Sequence, residues 1–194
     1  PDANVRFMRN FYAPSLSRQI MTVLLDETAW RQEKINVWGR QHWQPRLSAW
    51  HGDPNADYSY SGITLLPQPW TALLQKIRCD IEAVTGTRFN SVLLNLYRNE
   101  HDSMGWHSDD ERELGTAPVI ASLSLGETRT LKFRHKTRRE QKPLAIDLTD
   151  GSLLIMTGAT QQFWLHGIDK ARQSKGRRIN LTFRNILNDR KPAA

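Results

Sequence analysis

The sequence predicts an α+β protein, mainly β, in which two helices and an aromatic N-terminal segment pack on an antiparallel sandwich or jelly roll. Three observations predict it. Apolar residues recur at helical spacing in two stretches of the first half, seven short strand patterns crowd into roughly 100 residues of the second half, and no helical pattern separates those strands. A chain of 194 residues with 39% hydrophobic and 24% charged residues has the size and balance of one globular domain, which excludes disorder as its main character. No run approaches the roughly 18 uncharged apolar residues that a membrane helix needs, so no membrane partner is expected.

In the first helical stretch Pro14-Ser15 precedes Leu16, Ile20, Val23, Leu24 and Glu27, and the spacing of three and four predicts an amphipathic helix capped by Ser15 or Ser17. Residues 30–66 lose that period. They carry Trp38, Trp43, Trp50, Tyr58 and Tyr60 among Gly, Pro and Arg, which reads as short strands and loops. After Pro67 and Pro69, the residues Trp70, Leu73, Leu74, Ile77, Ile81 and Val84 return to helical spacing until Gly86 ends the helix. Strands are expected at 89–97, 119–125, 129–134, 144–148, 152–156, 163–166 and 177–186, each short, rich in apolar and β-branched residues and bounded by turn chemistry.

Lys and Arg number 27 against 20 Asp and Glu, a net charge of +7, and there are seven Trp. A basic, Trp-rich chain suits a polyanion with bases to stack upon. The single Cys79 cannot form an intramolecular disulfide, and the start shows no secretory pattern, so a reducing, intracellular compartment is expected.

His107-Ser108-Asp109 places an imidazole and a carboxylate two residues apart, on one face if the chain is extended there. His166, at the end of an expected strand, is placed to complete a set of two His and one carboxylate. Such a set leaves positions open on an Fe(II) ion. In Arg178-Ile179-Asn180-Leu181-Thr182-Phe183-Arg184, period two sends Arg178, Asn180, Thr182 and Arg184 to one face and the apolar residues to the other. Inward guanidiniums need anions, and their planar fork matches a carboxylate. Asn95 and Tyr97 alternate in the same way. A metal with open positions beside a two-arginine carboxylate pocket describes a 2-oxoglutarate site.

Asn95-Leu96-Tyr97, His107-Ser108-Asp109-Asp110-Glu111, His166 and Arg178-x-Asn180-x-x-x-Arg184 together resemble the AlkB family of Fe(II)/2-oxoglutarate-dependent dioxygenases. The resemblance runs from about residue 35 to 187 and is closest to the branch that repairs double-stranded DNA in vertebrates, through Tyr58-Ser59-Tyr60-Ser61-Gly62 and Asn180-Leu181-Thr182-Phe183-Arg184. It implies a double-stranded β-helix core over residues 89–187, N-terminal helices and a nucleotide-recognition lid over 1–88, and a tail at 188–194. It implies that His107, Asp109 and His166 bind Fe(II), that Arg178 with Tyr97 and Asn180 holds the distal carboxylate of 2-oxoglutarate, and that Arg184 and Asn95 lie near the iron-chelating end. O2 and 2-oxoglutarate would become succinate and CO2 while an N-alkyl group is hydroxylated and lost as an aldehyde.

The implied substrate is alkylated DNA, duplex or single-stranded, with RNA as the second candidate and no obligate protein partner. A flipped base would stack on Tyr60 near Tyr58, Ser61, Asp110 and Glu111, and Trp38 would fill the gap in the stack. Arg46, Arg134, His135, Lys136, Arg138, Arg139 and the run 170–177 are expected on backbone phosphates. Asp110 is expected to orient Arg184 or a water if it does not touch the base. Two rival readings stand beside this one: a 2-oxoglutarate oxygenase with a non-nucleic-acid substrate, and a non-catalytic nucleic-acid-binding module. The latter leaves the His/Asp/His set and the inward arginines without a purpose.

Overall fold

The computed structural model describes residues 1–37, 39–56, 58–60 and 63–187. After β1 (Asn4–Met8) comes α1 (Pro14–Glu27), then β2 (Lys34–Val37), β3 (Arg40–Trp43), β4 (Leu47–Gly52), β5 (Tyr58–Tyr60) and β6 (Ile63–Leu65). Helix α2 (Ala72–Thr85) leads into β7 (Ser91–Tyr97), β8 (Met104–His107), a 3-10 turn at Arg112–Leu114, β9 (Ile120–Gly126), β10 (Arg129–His135), β11 (Leu144–Leu148) and β12 (Ser152–Thr157). The one-turn α3 (Thr160–Phe163), β13 (Trp164–Ile168) and β14 (Arg178–Arg184) complete it. No helix among the described residues is long and apolar enough to cross a membrane.

Two antiparallel sheets face each other, one ordered β1-β12-β9-β14-β7-β4 and the other β11-β10-β13-β8, giving the jelly roll that the strand density predicts. The β2–β3 and β5–β6 pairs stand apart from both. The central strand β14 is buried at all seven positions and fixes the layers. Ile179, Leu181 and Phe183 face a core shared with Ile20 and Leu24 of α1 and with Leu74, Ile77 and Ile81 of α2. The alternate residues Arg178, Asn180, Thr182 and Arg184 point between the sheets, where the second core of Leu93, Tyr97, Ile120, Phe133, Met156 and Trp164 lies. Register is pinned on both sides, with Asn180 opposite Asn95 and Ser124. A one-residue slip would drive two guanidiniums into the helix-covered core.

Helix α2 starts as its sequence suggests: the Thr71 hydroxyl accepts from the Leu74 N–H, and Gly86 ends it at φ +68°, a conformation that favours glycine. Helix α1 does not. Its cap is Ala13 with Pro14 in the first turn, and neither Ser15 nor Ser17 caps it. Ser17 is buried and its hydroxyl donates to the Asp150 carboxylate, a tertiary contact that outweighs the local one. Leu16 and Val23 stay exposed, so the buried stripe of α1 is narrower than its apolar spacing suggests.

Candidate functional site

Strand pairing assembles the site. His107 on β8 lies directly opposite His166 on β13, with ring centroids 4.3 Å apart. Asp109 follows in the loop after β8 and is buried, with one carboxylate oxygen 2.7 Å from Arg184 Nη2 and the other 3.9 Å from His166 Nε2. The reason for this convergence differs from the one that the spacing suggests. Strand β8 ends at His107, so Asp109 does not share its face by pleating; the carboxylate is drawn in by Arg184 and by a hydrogen bond from the Asp109 N–H to Gln161 Oε1 at 2.9 Å. Asp110 accepts from Lys136 Nζ at 2.7 Å.

The donor set is prepared electrostatically. Burial pushes the Asp109 carboxyl upward, but Arg184, with the two imidazoles adding their charge once acid protonates them, more than offsets it and holds its pKa at about 2. Burial and the neighbouring His107 lower His166 to about 3, and burial likewise lowers His107. Both rings are therefore neutral at physiological pH, the form that ligates metals. Gly105 O lies 2.9 Å from His107 Nδ1, which fixes the proton there and leaves Nε2 its lone pair.

Among the described residues no three His, Cys, Asp or Glu side chains stand in a finished ligand cage. Their chemistry nonetheless fits one divalent ion: Asp109 Oδ2, which faces His166 Nε2, is buried without a hydrogen-bond partner among the described residues, and two neutral imidazoles with one carboxylate make an N2O donor set.

The other end of the same cavity is cationic. Arg178 is fully buried, donates through Nη2 to Ser124 Oγ at 2.9 Å, and lies 5.0 Å from the centre of the Tyr97 ring. Its Nε and Nη1 have no acceptor among the described residues, and burial lowers its pKa. Asn180 donates to Ser122 Oγ at 2.8 Å and to Leu123 O at 3.0 Å, while Asn95 Oδ1 accepts from Arg46 Nε at 2.7 Å. Asn95, Tyr97, His107, Asp109, His166, Arg178, Asn180 and Arg184 thus line one cavity. A buried guanidinium with an open edge calls for an anion, and its fork matches a carboxylate.

A second opening beside His107 and Asp109 is lined by Ile35, Gln44, Arg46, Trp106 and Glu111. Several residues expected on backbone phosphates have partners within the protein. Arg46 is only 4% exposed and bonded to Asn95, so it is no free phosphate contact. His135 is buried and accepts the Thr137 and Arg138 N–H groups, and Lys136 is held by Asp110 and Gln161 O. Arg138 pairs with Asp2, and Lys175 with Glu127. Arg134 stays exposed, stacked 4.5 Å from the Trp106 ring. Trp38 and Ser61 lie outside the described residues, and Tyr58 and Tyr60 are described as backbone, on β5, only.

The sequence reading missed Ser122, Ser124, Gln161 and Met156. The two serines had a signal, since they alternate with Ala121, Leu123 and Leu125 along β9 and so share a face; Gln161, in a one-turn helix, had none.

A jelly roll with a His/Asp/His set and a buried guanidinium in one cavity is an arrangement suited to a mononuclear-metal oxygenase that binds a carboxylate. Sequence comparison agrees. The model of the 2OG-Fe(II) oxygenase superfamily matches residues 4–184. Human alpha-ketoglutarate-dependent dioxygenase alkB homolog 3 is 44% identical over 178 residues, covering 88% of this chain and 62% of that protein. Mouse DNA oxidative demethylase ALKBH2 is 41% identical over 164 residues, covering 81% of this chain and 69% of that protein. The solved structure of OsALKBH1 superposes with a TM-score of 0.63 at 17% identity, over 94% of this chain and 97% of that one, a likeness of fold. The chain belongs to the 2OG-Fe(II) oxygenase superfamily and, within it, to the AlkB family, close to the homolog 3 and ALKBH2 branch. The chain spans 62% of the length of human alkB homolog 3 and 63% of that of human DNA oxidative demethylase ALKBH2.

Proposed function

We propose that this protein removes alkyl groups from ring nitrogens of nucleic-acid bases by an Fe(II)- and 2-oxoglutarate-dependent oxidation, with DNA as the primary substrate and RNA as the second. The observation that carries it is the pairing, in one cavity, of the His107/Asp109/His166 set with the fully buried, half-unpartnered Arg178. Similarity to proteins named DNA oxidative demethylases gives the substrate class.

In this reading His107, Asp109 and His166 would hold the metal, and the bound Fe(II) with 2-oxoglutarate and O2 would supply a two-electron oxidant for a carbon–hydrogen bond. The protein's own residues do the rest. Arg178 grips the distal carboxylate with Asn180 and Tyr97 beside it, and Arg184 keeps the Asp109 carboxylate ionised and turned inward. Apolar walls from Leu93, Leu131, Met156 and Ile168 keep water from the cavity. An alkylated Watson–Crick nitrogen is unreachable in a stacked duplex, so the base must be flipped and enter by the opening at Trp106, Arg46 and Glu111. Trp38, Tyr58, Tyr60 and Ser61 are assigned to the unstacking and the base, Asp110 and Glu111 to its rim. Residues 89–187 act as the catalytic core and 1–88 as its substrate-side cover, in an intracellular setting.

Succinate release tests the substrate class. With Fe(II), 2-oxoglutarate and O2 supplied, a methylated oligonucleotide should raise succinate release well above that seen with its unmethylated twin, a free methylated nucleoside or a peptide. Release indifferent to methylated nucleic acid would refute the reading.

A further inference from the structure

The loop that carries Asp109 is held by side chains that belong to other elements. Asp109 lies past the end of β8, where no neighbouring strand among the described residues binds its backbone. Its N–H instead donates to the Oε1 of Gln161, which is 1% exposed. Among the described residues the amide's own N–H donor reaches only the Met156 thioether, at 3.4 Å. Sulfur is a weak acceptor, so the bond from Asp109 decides which way the amide is turned. Lys136 Nζ closes the bracket, donating to Gln161 O at 2.9 Å and to Asp110 Oδ2 at 2.7 Å. Gln161 sits in α3, which runs straight into β13 and His166, so one short segment presents a ligand residue and clamps the loop bearing another.

We propose that Gln161, backed by Lys136, is a positioning residue for the metal site: it fixes the backbone of Asp109 so that the carboxylate reaches the point that His107 and His166 face. This rests on the reading of those three residues as metal ligands. The geometry requires an acceptor at that spot. A buried backbone N–H left without one is costly, and the loop would move to find water.

Co(II), a spectroscopic stand-in for Fe(II), gives the test by titration of the metal-free protein. Gln161→Met keeps the length and apolar packing but removes the acceptor; it should weaken Co(II) binding by about 10–100-fold, the range for partners that orient ligands. Gln161→Glu keeps an acceptor oxygen at the same reach and should stay within a few fold of wild type. Lys136→Met, at a partly exposed site, should weaken binding in the same direction by less. Amide hydrogen exchange of the metal-free wild type should show Asp109 protected although it lies in a loop.

An unchanged Co(II) affinity in Gln161→Met, equal losses in the Met and Glu variants, or an unprotected Asp109 amide would overturn the clamp. His107→Ala separates the two claims: if it too binds Co(II) as wild type does, the metal reading itself fails, whereas loss in His107→Ala with none in Gln161→Met sinks the clamp alone.

Discussion

Replacing Arg178 by Met should raise or leave unchanged the stability of the ligand-free protein while abolishing its response to 2-oxoglutarate. The opposite signs follow from the burial of the guanidinium. Arg178 is 0% exposed and, among the described residues, its Nε and Nη1 have no hydrogen-bond partner, so the ligand-free fold carries a desolvation cost of several kcal/mol against the Tyr97 contact and one charged hydrogen bond to Ser124, worth about 1.5–3 kcal/mol. A thioether of similar volume removes that cost and leaves Ser124 short of one partner, a net gain of about 1–3 kcal/mol. For a chain of this size each kcal/mol moves Tm by about 2–4 °C. With 2-oxoglutarate and Mn(II) in place of iron to prevent turnover, the wild type should gain about 2.7 kcal/mol at one hundred times Kd. The variant loses a two-bond charged fork worth about 3 kcal/mol or more, over 100-fold in affinity, and should show almost no shift. Thermal unfolding with and without ligand measures both arms. A variant that melts several degrees lower on its own yet keeps the wild-type shift would show that Arg178 is a structural residue and refute the argument.

Asp109→Ala should abolish turnover and cost about 3–5 kcal/mol in stability, because it leaves Arg184 buried without its carboxylate; binding to oligonucleotides under conditions where the variant is folded should persist, and active enzyme would sink the site. Stability of the metal-free protein should fall as pH drops from 6.5 to 5. In that window unfolded histidines take up protons that His166, at about 3, and the similarly lowered His107 refuse. Each contributes at most about 2 kcal/mol over that span, so urea unfolding of His166→Gln should show a clearly shallower slope, and an identical slope would contradict the neutral pair. Trp38→Ala should leave Tm almost unchanged and spare activity on single-stranded methylated DNA while lowering it on duplex, since only the duplex needs its stack filled; equal losses on both would return Trp38 to the core.

Much of the site was legible because strand alternation is unforgiving. In β14 the polar and apolar sets separate by period two, and a strand buried on both faces can hold arginines only where an anion awaits them. The helix stop at Gly86 was legible for the same local reason, a residue suited to positive φ after an amphipathic run. What escaped the sequence depends on distant partners. Nothing near Arg46 announces that it is buried against Asn95, and Ser17 looks like a cap until Asp150 arrives from the far side of the chain. His107 and Asp109 come together, but not by the strand alternation that their spacing suggests, because the strand ends between them and tertiary bonds from Arg184 and Gln161 take over. The edge strand β1 went unseen because five residues of mixed polarity, half-buried against β12, carry no period of their own.

The most direct test counts two products of one reaction. Metal-free protein is loaded anaerobically with Fe(II), 2-oxoglutarate and a DNA oligonucleotide bearing a single N-methylated base, then exposed to air; succinate and the mass of the oligonucleotide are followed together. One succinate for each methyl group lost, with the unmodified base restored, is the expected result, and Arg178→Met should form neither product. Succinate without any change in the oligonucleotide, or no succinate at all from metal-loaded wild type, would contradict the proposed function.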